Sequence, residues 1–433
     1  MLDYHFIVDN VEAVKRNIAN RYMAADADAV VRLFRRRAEL SGALQGLQRR
    51  RNANAAAMKE GRGALEPERR AALIEEGKKL KEGIAAAEEE LARTERDLAD
   101  EARRIPNMAH PDAPVGREDA DNREVKRVGE PRRFDFPPAD HVALGQALDI
   151  IDFDAATKAS GTKFYYLKNE GVFLELGLIR YALDLLRQRG FTPFITPDIA
   201  REEILEGIGF NPRGPESNVY RLEGEGACLV GTAEITLGGY YAGAVLPREK
   251  LPLRMAGLSH CFRREAGAAG QFSKGLYRVH QFSKVEMFIL CLPEESAAMH
   301  EELRAVEEEL FQGLEIPFRV VETCTGDLGA PAYRKWDLEA WMPGRAAAGD
   351  AAGGGWGEVT SASNCTDYQA RRLNIRYRDA SGKHPFVHML NGTAIALPRA
   401  IIAALENFQE ADGSVRLPRS LAPYCGFGAI PDR

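Results

Sequence analysis

The chain has 433 residues, 45% hydrophobic and 28% charged, enough for a large buried core and two or three domains rather than a disordered chain. Its net charge of −6 argues against a protein that coats nucleic acid non-specifically, while leaving room for local basic patches. Six cysteines without a CxxC pair suggest neither a disulfide framework nor a zinc ribbon, and no apolar run approaches the ~20 residues of a membrane span. A reducing, cytoplasmic setting is expected, and the opening MLDYHFIVDNVEAVKRN has early acids and no apolar signal core.

In chain order, the stretch from Ala29 to Arg104 is rich in Ala, Glu, Arg and Leu and nearly free of aromatics. Val30, Leu33, Leu40, Leu44 and Leu47 form one heptad-like seam, and Leu73, Leu80, Ile84, Ala87, Leu91 and Leu98 form another. An antiparallel hairpin of two helices is predicted, turning at Gly61, Gly63 and Pro67, with arms of roughly 45–60 Å at ~1.5 Å per residue. So long a rod has little core of its own and reads as a projecting tool. Its basic clusters, Arg35–Arg37, Arg49–Arg51, Arg69–Arg70 and Lys78–Lys79, fit either a solvated face balancing the glutamates or a contact to phosphates. Residues 1–105 are therefore expected to form one domain and 106–433 a second, joined through a Pro-rich linker over 106–142.

Beyond the linker, helices such as Val172–Arg189 alternate with apolar strands such as Phe318–Val321 and Phe386–Leu390. Few clean β-α-β units occur, so an α+β fold is predicted, with a mixed or antiparallel sheet flanked by helices. Arg345–Gly357 reads as a low-complexity loop without the context of a phosphate cradle.

The densest chemistry lies between Cys261 and Glu286. Apolar MAGLSHCF precedes a glycine-rich loop and VHQFSKVEMFIL follows it. Such a hairpin would bring Arg263 and Glu286 close together, so that one strand could hold a phosphate and the other an amine. The wording Phe-Arg-x-Glu, then Arg-x-His-Gln-Phe-x-Lys-x-Glu, resembles the second signature motif of class II aminoacyl-tRNA synthetases, and seryl-tRNA synthetases most of all.

The resemblance runs along the whole chain. Thr232-Ala233-Glu234 is similar to the family's serine-holding Thr-x-Glu element. Trp356–Asp367 (WGEVTSASNCTD) resembles its Glu-[IV]-[ST]-Ser-x-Ser-Asn-Cys element. Leu390–Asn407 (LNGTAIALPRAIIAALEN) resembles the third motif, with Thr393, Ala394 and Pro398 standing where a common bacterial form has Ser and glycines. The first motif is the faintest, GFTPFITPDI ending in Pro197 near the family's dimer-interface proline.

The family's chemistry then implies roles. Arg263 would bridge the α-phosphate of ATP and the attacking carboxylate, as a guanidinium fork can, with Arg264 beside it and Glu265 on the adenine side. Val279, His280, Gln281 and Phe282 would line the adenine site, Phe282 stacking on the base. Glu286 would meet the serine ammonium, since a buried carboxylate needs a partner. Thr232, Ala233, Glu234, Asn391 and Thr393 would complete the serine pocket. Glu358, Val359, Thr360 and Ser361 would meet ATP, and Glu358 and Ser361 would bind Mg2+ through hard oxygens. Asn364 and Cys365 would shape the pocket, and Arg399 would clamp the γ-phosphate. The resemblance implies a homodimer that ligates serine to tRNA(Ser), gripped by the helical arm, and to a selenocysteine tRNA where the host has one. Two alternatives share the core: an amino acid–carrier-protein ligase, which would lack the arm and use zinc, and an inactive tRNA-binding paralogue, which would have lost its motif arginines.

Overall fold

The computed structural model describes residues 1–60, 66–210, 217–266, 273–345 and 353–431. The chain divides into two compact units, Met1–Pro106 and Asn107–Arg433.

The first unit opens with two short helices that the sequence pattern did not reveal, α1 (Tyr4–Asp9) and α2 (Val11–Asn20). Asp3 caps α1, its carboxylate accepting from the His5 and Phe6 amides at 2.9 and 3.3 Å, which satisfies donors that the first turn leaves free. The predicted rod follows as α3 (Ala27–Glu60) and α4 (Pro67–Arg104). Pro67 stands in the first turn of α4, where its missing N–H costs nothing; the expected turn glycines Gly61 and Gly63 lie outside the described residues. Val30 and Leu40 of one seam are buried with Leu73, Leu80, Ile84 and Leu98 of the other. Part of the basic pattern is structural: Arg36 pairs with Glu90 at 2.7 Å, Arg37 with Glu95 at 3.0 Å and Arg50 with Glu76 at 3.2 Å, all across the two helices.

The second unit is built on an eight-stranded sheet. In chain order its main elements are β1 (Arg123–Val128), α5 (Glu170–Gln188), β2 (Thr192–Ile195), α6 (Ala233–Tyr240), β3 (Leu253–Phe262), β4 (Gln281–Cys291), α7 (Ser296–Gly313), β5 (Phe318–Glu322), β6 (Arg334–Met342), β7 (Gly355–Asn364), β8 (His388–Ala396) and α8 (Leu397–Asn407). The spatial order is β1-β5-β6-β7-β8-β4-β3-β2, antiparallel throughout except for β2 against β3. One large core packs Val285, Met287 and Ile289 of β4 with Leu174 and Leu178 of α5 and Ile401 and Leu405 of α8, and a second packs Phe288 and Leu290 of β4 with Ile235 and Leu237 of α6.

Three expectations change. The linker is not a plain connection: Arg123–Val128 pairs antiparallel with β5 and becomes an edge strand. Polar REVKRV suits an edge whose outer side faces water. The glycine-rich loop is shorter than expected, because Gly355–Gly357 already belong to β7, with Trp356 registered against Trp341 and the two rings in edge contact at 5.2 Å; its residues 346–352 lie outside the described residues. The strand expected at Phe386–Leu390 starts at His388 and runs on to Ala396, with Phe386 held in an isolated bridge to Arg376.

Candidate active site

One cavity of about 240 Å³ opens on the sheet face carrying the ends of β3, β4, β7 and β8. Four segments distant in sequence converge there.

The hairpin β3–β4 has Phe262 opposite Gln281, and Glu286 opposite Gly257. Arg263 therefore faces His280 at the hairpin mouth, its amide donating to the His280 carbonyl at 2.9 Å and its own carbonyl 3.0 Å from His280 Nδ1. Arg263 and Glu286 do not meet directly across the strands; they meet through the cavity, which both line. The Arg263 guanidinium is steered by the Gly231 carbonyl, to which Nε and Nη2 donate at 3.3 and 3.2 Å, and it lies 5.3 Å from the Phe282 ring centroid. Phe282 thus carries a cation on its ring. Glu265 adopts φ +49°, uncommon for a residue with a side chain, and accepts from Arg278 Nη1 at 3.1 Å.

Lys284 and Glu286 form a buried ion pair, 4% and 3% exposed. The Thr393 hydroxyl of β8 lies 3.3 Å from Glu286 Oε2. Beside them is Glu234 in the first turn of α6. Thr232 caps that helix, its hydroxyl accepting from the Glu234 amide at 3.4 Å. Glu234 Oε1 accepts from Gln369 Nε2 at 2.7 Å and Asn391 Nδ2 at 2.9 Å. Burial, reinforced by the negative Glu286, pushes the Glu234 carboxyl up to about 7.

At the other end, Arg399 in the first turn of α8 donates to the Glu358 carbonyl at 2.9 Å, lies 3.3 Å from the Glu358 carboxylate, and covers the Tyr277 ring at 4.7 Å. The Glu358 side chain, 46% exposed, lines the cavity. Burial pushes its carboxyl up, but Arg399, Lys335 and Arg263 outweigh that and hold it below the ordinary range. Across the sheet from Ser361 stands Asp337, its carboxyl pushed up by burial against the pull of Lys335.

Thr232, Glu234, Arg263, Glu265, Val279, Phe282, Glu286, Glu358–Ser361, Asn391, Thr393 and Arg399 all line the cavity. Ala233, Arg264, His280 and Gln281 are not among its lining residues: the Arg264 amide bonds the Asn218 carbonyl at 3.0 Å, and Gln281 lines a separate cavity with Glu175 and His260. Asn364 turns away to Ser296, while Cys365 Sγ lies 3.6 Å from Asn391 Nδ2. Sequence reasoning missed Lys284, Tyr277 and Phe210. Lys284 was legible in principle, since a residue two before Glu286 on a strand shares its face.

A hard cation fits Glu358 and Ser361. The carboxylate is held ionised, and the shift in pairing that leaves Val359 unmatched lets Glu358 and Ser361, three residues apart on one strand, line the same cavity. Such a pair leaves most of an octahedron to phosphate and water, as Mg2+ prefers.

An antiparallel sheet carrying arginines on a hairpin and on a strand–helix junction around one cavity defines a class II aminoacyl-tRNA synthetase core. Residues 220–408 match the family described as tRNA synthetase class II core domain (G, H, P, S and T), and residues 1–109 match the Seryl-tRNA synthetase N-terminal domain. The chain belongs to the seryl-tRNA synthetase family. It is 66% identical to the serine–tRNA ligase of Treponema denticola over 430 residues, 99% of this chain and 100% of that one. It is 54% identical to that of Borreliella burgdorferi, over 100% and 99%. Among solved structures, seryl-tRNA synthetase from Pyrococcus horikoshii complexed with ATP superimposes with a TM-score of 0.90 at 40% identity, covering 100% of both chains.

Proposed function

We propose that the chain is a serine–tRNA ligase: it activates L-serine with ATP to seryl-adenylate, releasing diphosphate, and transfers the seryl group to the 3′-terminal adenosine of tRNA(Ser). The observation that carries this reading is the convergence of Arg263, Glu286, Thr393, Glu358 and Arg399 on one cavity, in a chain whose full-length relatives are serine–tRNA ligases.

Activation is an in-line displacement at the α-phosphorus, so positioning and charge neutralisation supply most of the rate. Arg263 takes the α-phosphate and the serine carboxylate together, its fork aimed by the Gly231 carbonyl. Phe282 and Val279 receive the adenine. Glu286 takes the serine ammonium and Thr393 the hydroxyl, while Glu234 adds a second acceptor. Arg399 holds the γ-phosphate. Glu358 and Ser361 would hold Mg2+, which neutralises phosphate charge when bound.

The arm α3–α4 is the proposed grip on tRNA, through the arginines that do not serve the helix pair. A homodimer is supported by an apolar patch beside the sheet edge: Val172, Phe173 and Leu176 of α5 are exposed, and Ile195 of β2 is 86% exposed, more than isolated surface residues explain. The cytoplasm is the proposed compartment, and no helix among the described residues is long and apolar enough to cross a membrane. Charging of a selenocysteine tRNA would follow from the same chemistry.

The test is ATP–diphosphate exchange with each amino acid in turn, followed by tRNA charging. Serine alone should drive strong exchange, because a site that hydrogen-bonds a hydroxyl rejects analogues lacking it. Comparable turnover with alanine would refute the assignment.

A further inference from the structure

Helix α7 packs against β7 and β8, and Glu307 on it is 1% exposed. On β8, Gly392 stands between Asn391 and Thr393; on β7, Thr360 stands between Val359 and Ser361. All four flanking residues line the active-site cavity, as does Thr360 itself, whereas Gly392 does not. Strand alternation turns Gly392 the other way, and a Cβ there would lie 3.2 Å from Glu307 Oε1, with Met287 Cε and Ala362 Cβ at 3.3 and 3.4 Å. The Glu307 carboxyl therefore sits behind two neighbouring strands at the point where each presents its substrate-facing residues. Glu307 Oε1 and Thr360 Oγ1 are both buried, and among the described residues neither has a partner in full hydrogen-bond geometry. The Thr360 hydroxyl is nonetheless the polar side chain that most favours the Glu307 carboxylate.

We propose that Glu307 is a positioning residue for both substrate subsites: filling the space behind Thr360 and Gly392, its carboxyl sets the spacing between the strand that carries Glu358–Ser361 and the strand that carries Asn391–Thr393. The inference rests on reading the cavity as the serine and ATP site. The groups that face Glu307 agree with a carboxyl used for its shape and hydrogen bonds rather than its charge. Asp337 of β6, Glu286 of β4 and Glu308 on its own helix are all acids, and together with burial, the largest cause, they push the Glu307 carboxyl well above its ordinary range. A neutral acid can donate as well as accept, and glutamine is its nearest neutral copy.

The experiment compares Glu307→Gln, Glu307→Ala and Thr360→Val in the full chain, by serine and ATP KM in diphosphate exchange and by melting from pH 5 to 9. Glu307→Gln should stay within about threefold of the parent in both KM values, whereas Glu307→Ala should raise both by roughly tenfold or more, as a small misplacement of a reacting group does. Thr360→Val should move them in the same direction. The parent should lose melting temperature as pH rises, because the folded carboxyl keeps a proton that the unfolded one releases, and Glu307→Gln should lessen that loss. Parental KM values in Glu307→Ala, or glutamine as damaging as alanine, would overturn the proposal. If Glu307→Ala does not fold, parental KM values in Thr360→Val would do so. A parent inactive with serine would refute the functional reading separately, and the melting profiles would still report on Glu307.

Discussion

Arg399 and Glu358 are held as a unit: the guanidinium bonds the Glu358 main-chain carbonyl at 2.9 Å and stays 3.3 Å from its carboxylate. The proposed phosphate clamp and the proposed metal ligand therefore fix each other before substrate arrives. Both contacts come from Nη1, so Arg399→Lys keeps the charge but loses the planar fork whose remaining N–H groups are left for a phosphate. It should lower exchange by ~100-fold or more, the range for one preorganised donor, with little change in melting temperature. Exchange within tenfold of the parent would dismiss the clamp.

Arg263 is aimed by a main-chain carbonyl rather than by a carboxylate. Arg263→Ala should slow adenylate formation by about 10²–10³-fold, a loss of ~3–4 kcal/mol in transition-state stabilisation. Single-turnover measurement of seryl-adenylate on a variant checked for folding by circular dichroism decides it.

Glu234 should make serine capture depend on pH. With its carboxyl pushed up to about 7, it is largely neutral at pH 6 and ionised at pH 8, so kcat/KM for serine should rise across that interval. Glu234→Gln should lower the value and flatten the rise. The same carboxyl affects stability in the opposite sense: the unfolded group releases its proton near its ordinary 4.5, the folded one near 7. Stability is therefore lost as pH climbs through that window, and the glutamine variant should melt with a shallower slope. A serine profile that stays level in the parent between pH 6 and 8 would count against a role for this group.

Lys284 and Glu286 should fail asymmetrically. Lys284→Met leaves a buried carboxylate without its cation and should destabilise by ~3–5 kcal/mol; adding Glu286→Gln should restore much of the stability but not serine binding. Glu286→Gln alone should raise serine KM far more than ATP KM. Equal losses for both ligands would mark the pair as purely structural.

On the arm, Arg50 pairs with Glu76, whereas Arg49 bonds the Gln45 carbonyl and Arg51 the Asn52 side chain. Arg49→Glu with Arg51→Glu should raise tRNA KM at least severalfold, steepened at low salt, while serine-dependent exchange stays unchanged. Unaltered charging kinetics would assign this cluster to the solvated face.

The two-helix arm and the motif hairpin were legible because both rest on local periodicity: heptad seams at Leu73, Leu80 and Ile84, and apolar strands around Arg263. The failures share a different cause. Glu286 sits opposite Thr393 rather than Ala394, and Glu339 opposite Glu358 rather than Val359, because the pairings shift between Val285 and Glu286 and between Leu338 and Glu339. A bulge shifts which residue faces the cavity, and no spacing rule in a single sequence reveals one. Arg123–Val128 looked like linker because an edge strand needs no apolar alternation. Glu307 carried no motif at all; only the closeness of Gly392 gives it meaning.

All six cysteines lie beyond Asn107, and every one is buried. The arm is therefore free of sulfhydryls, and the folded synthetase unit keeps its own out of reach. Alkylation of the native protein becomes a clock for breathing of that unit alone: the rate at each cysteine measures how often its surroundings open. Cys365 beside Asn391, and Cys261 at the end of the β3 strand, would show whether serine and ATP slow that opening where they bind.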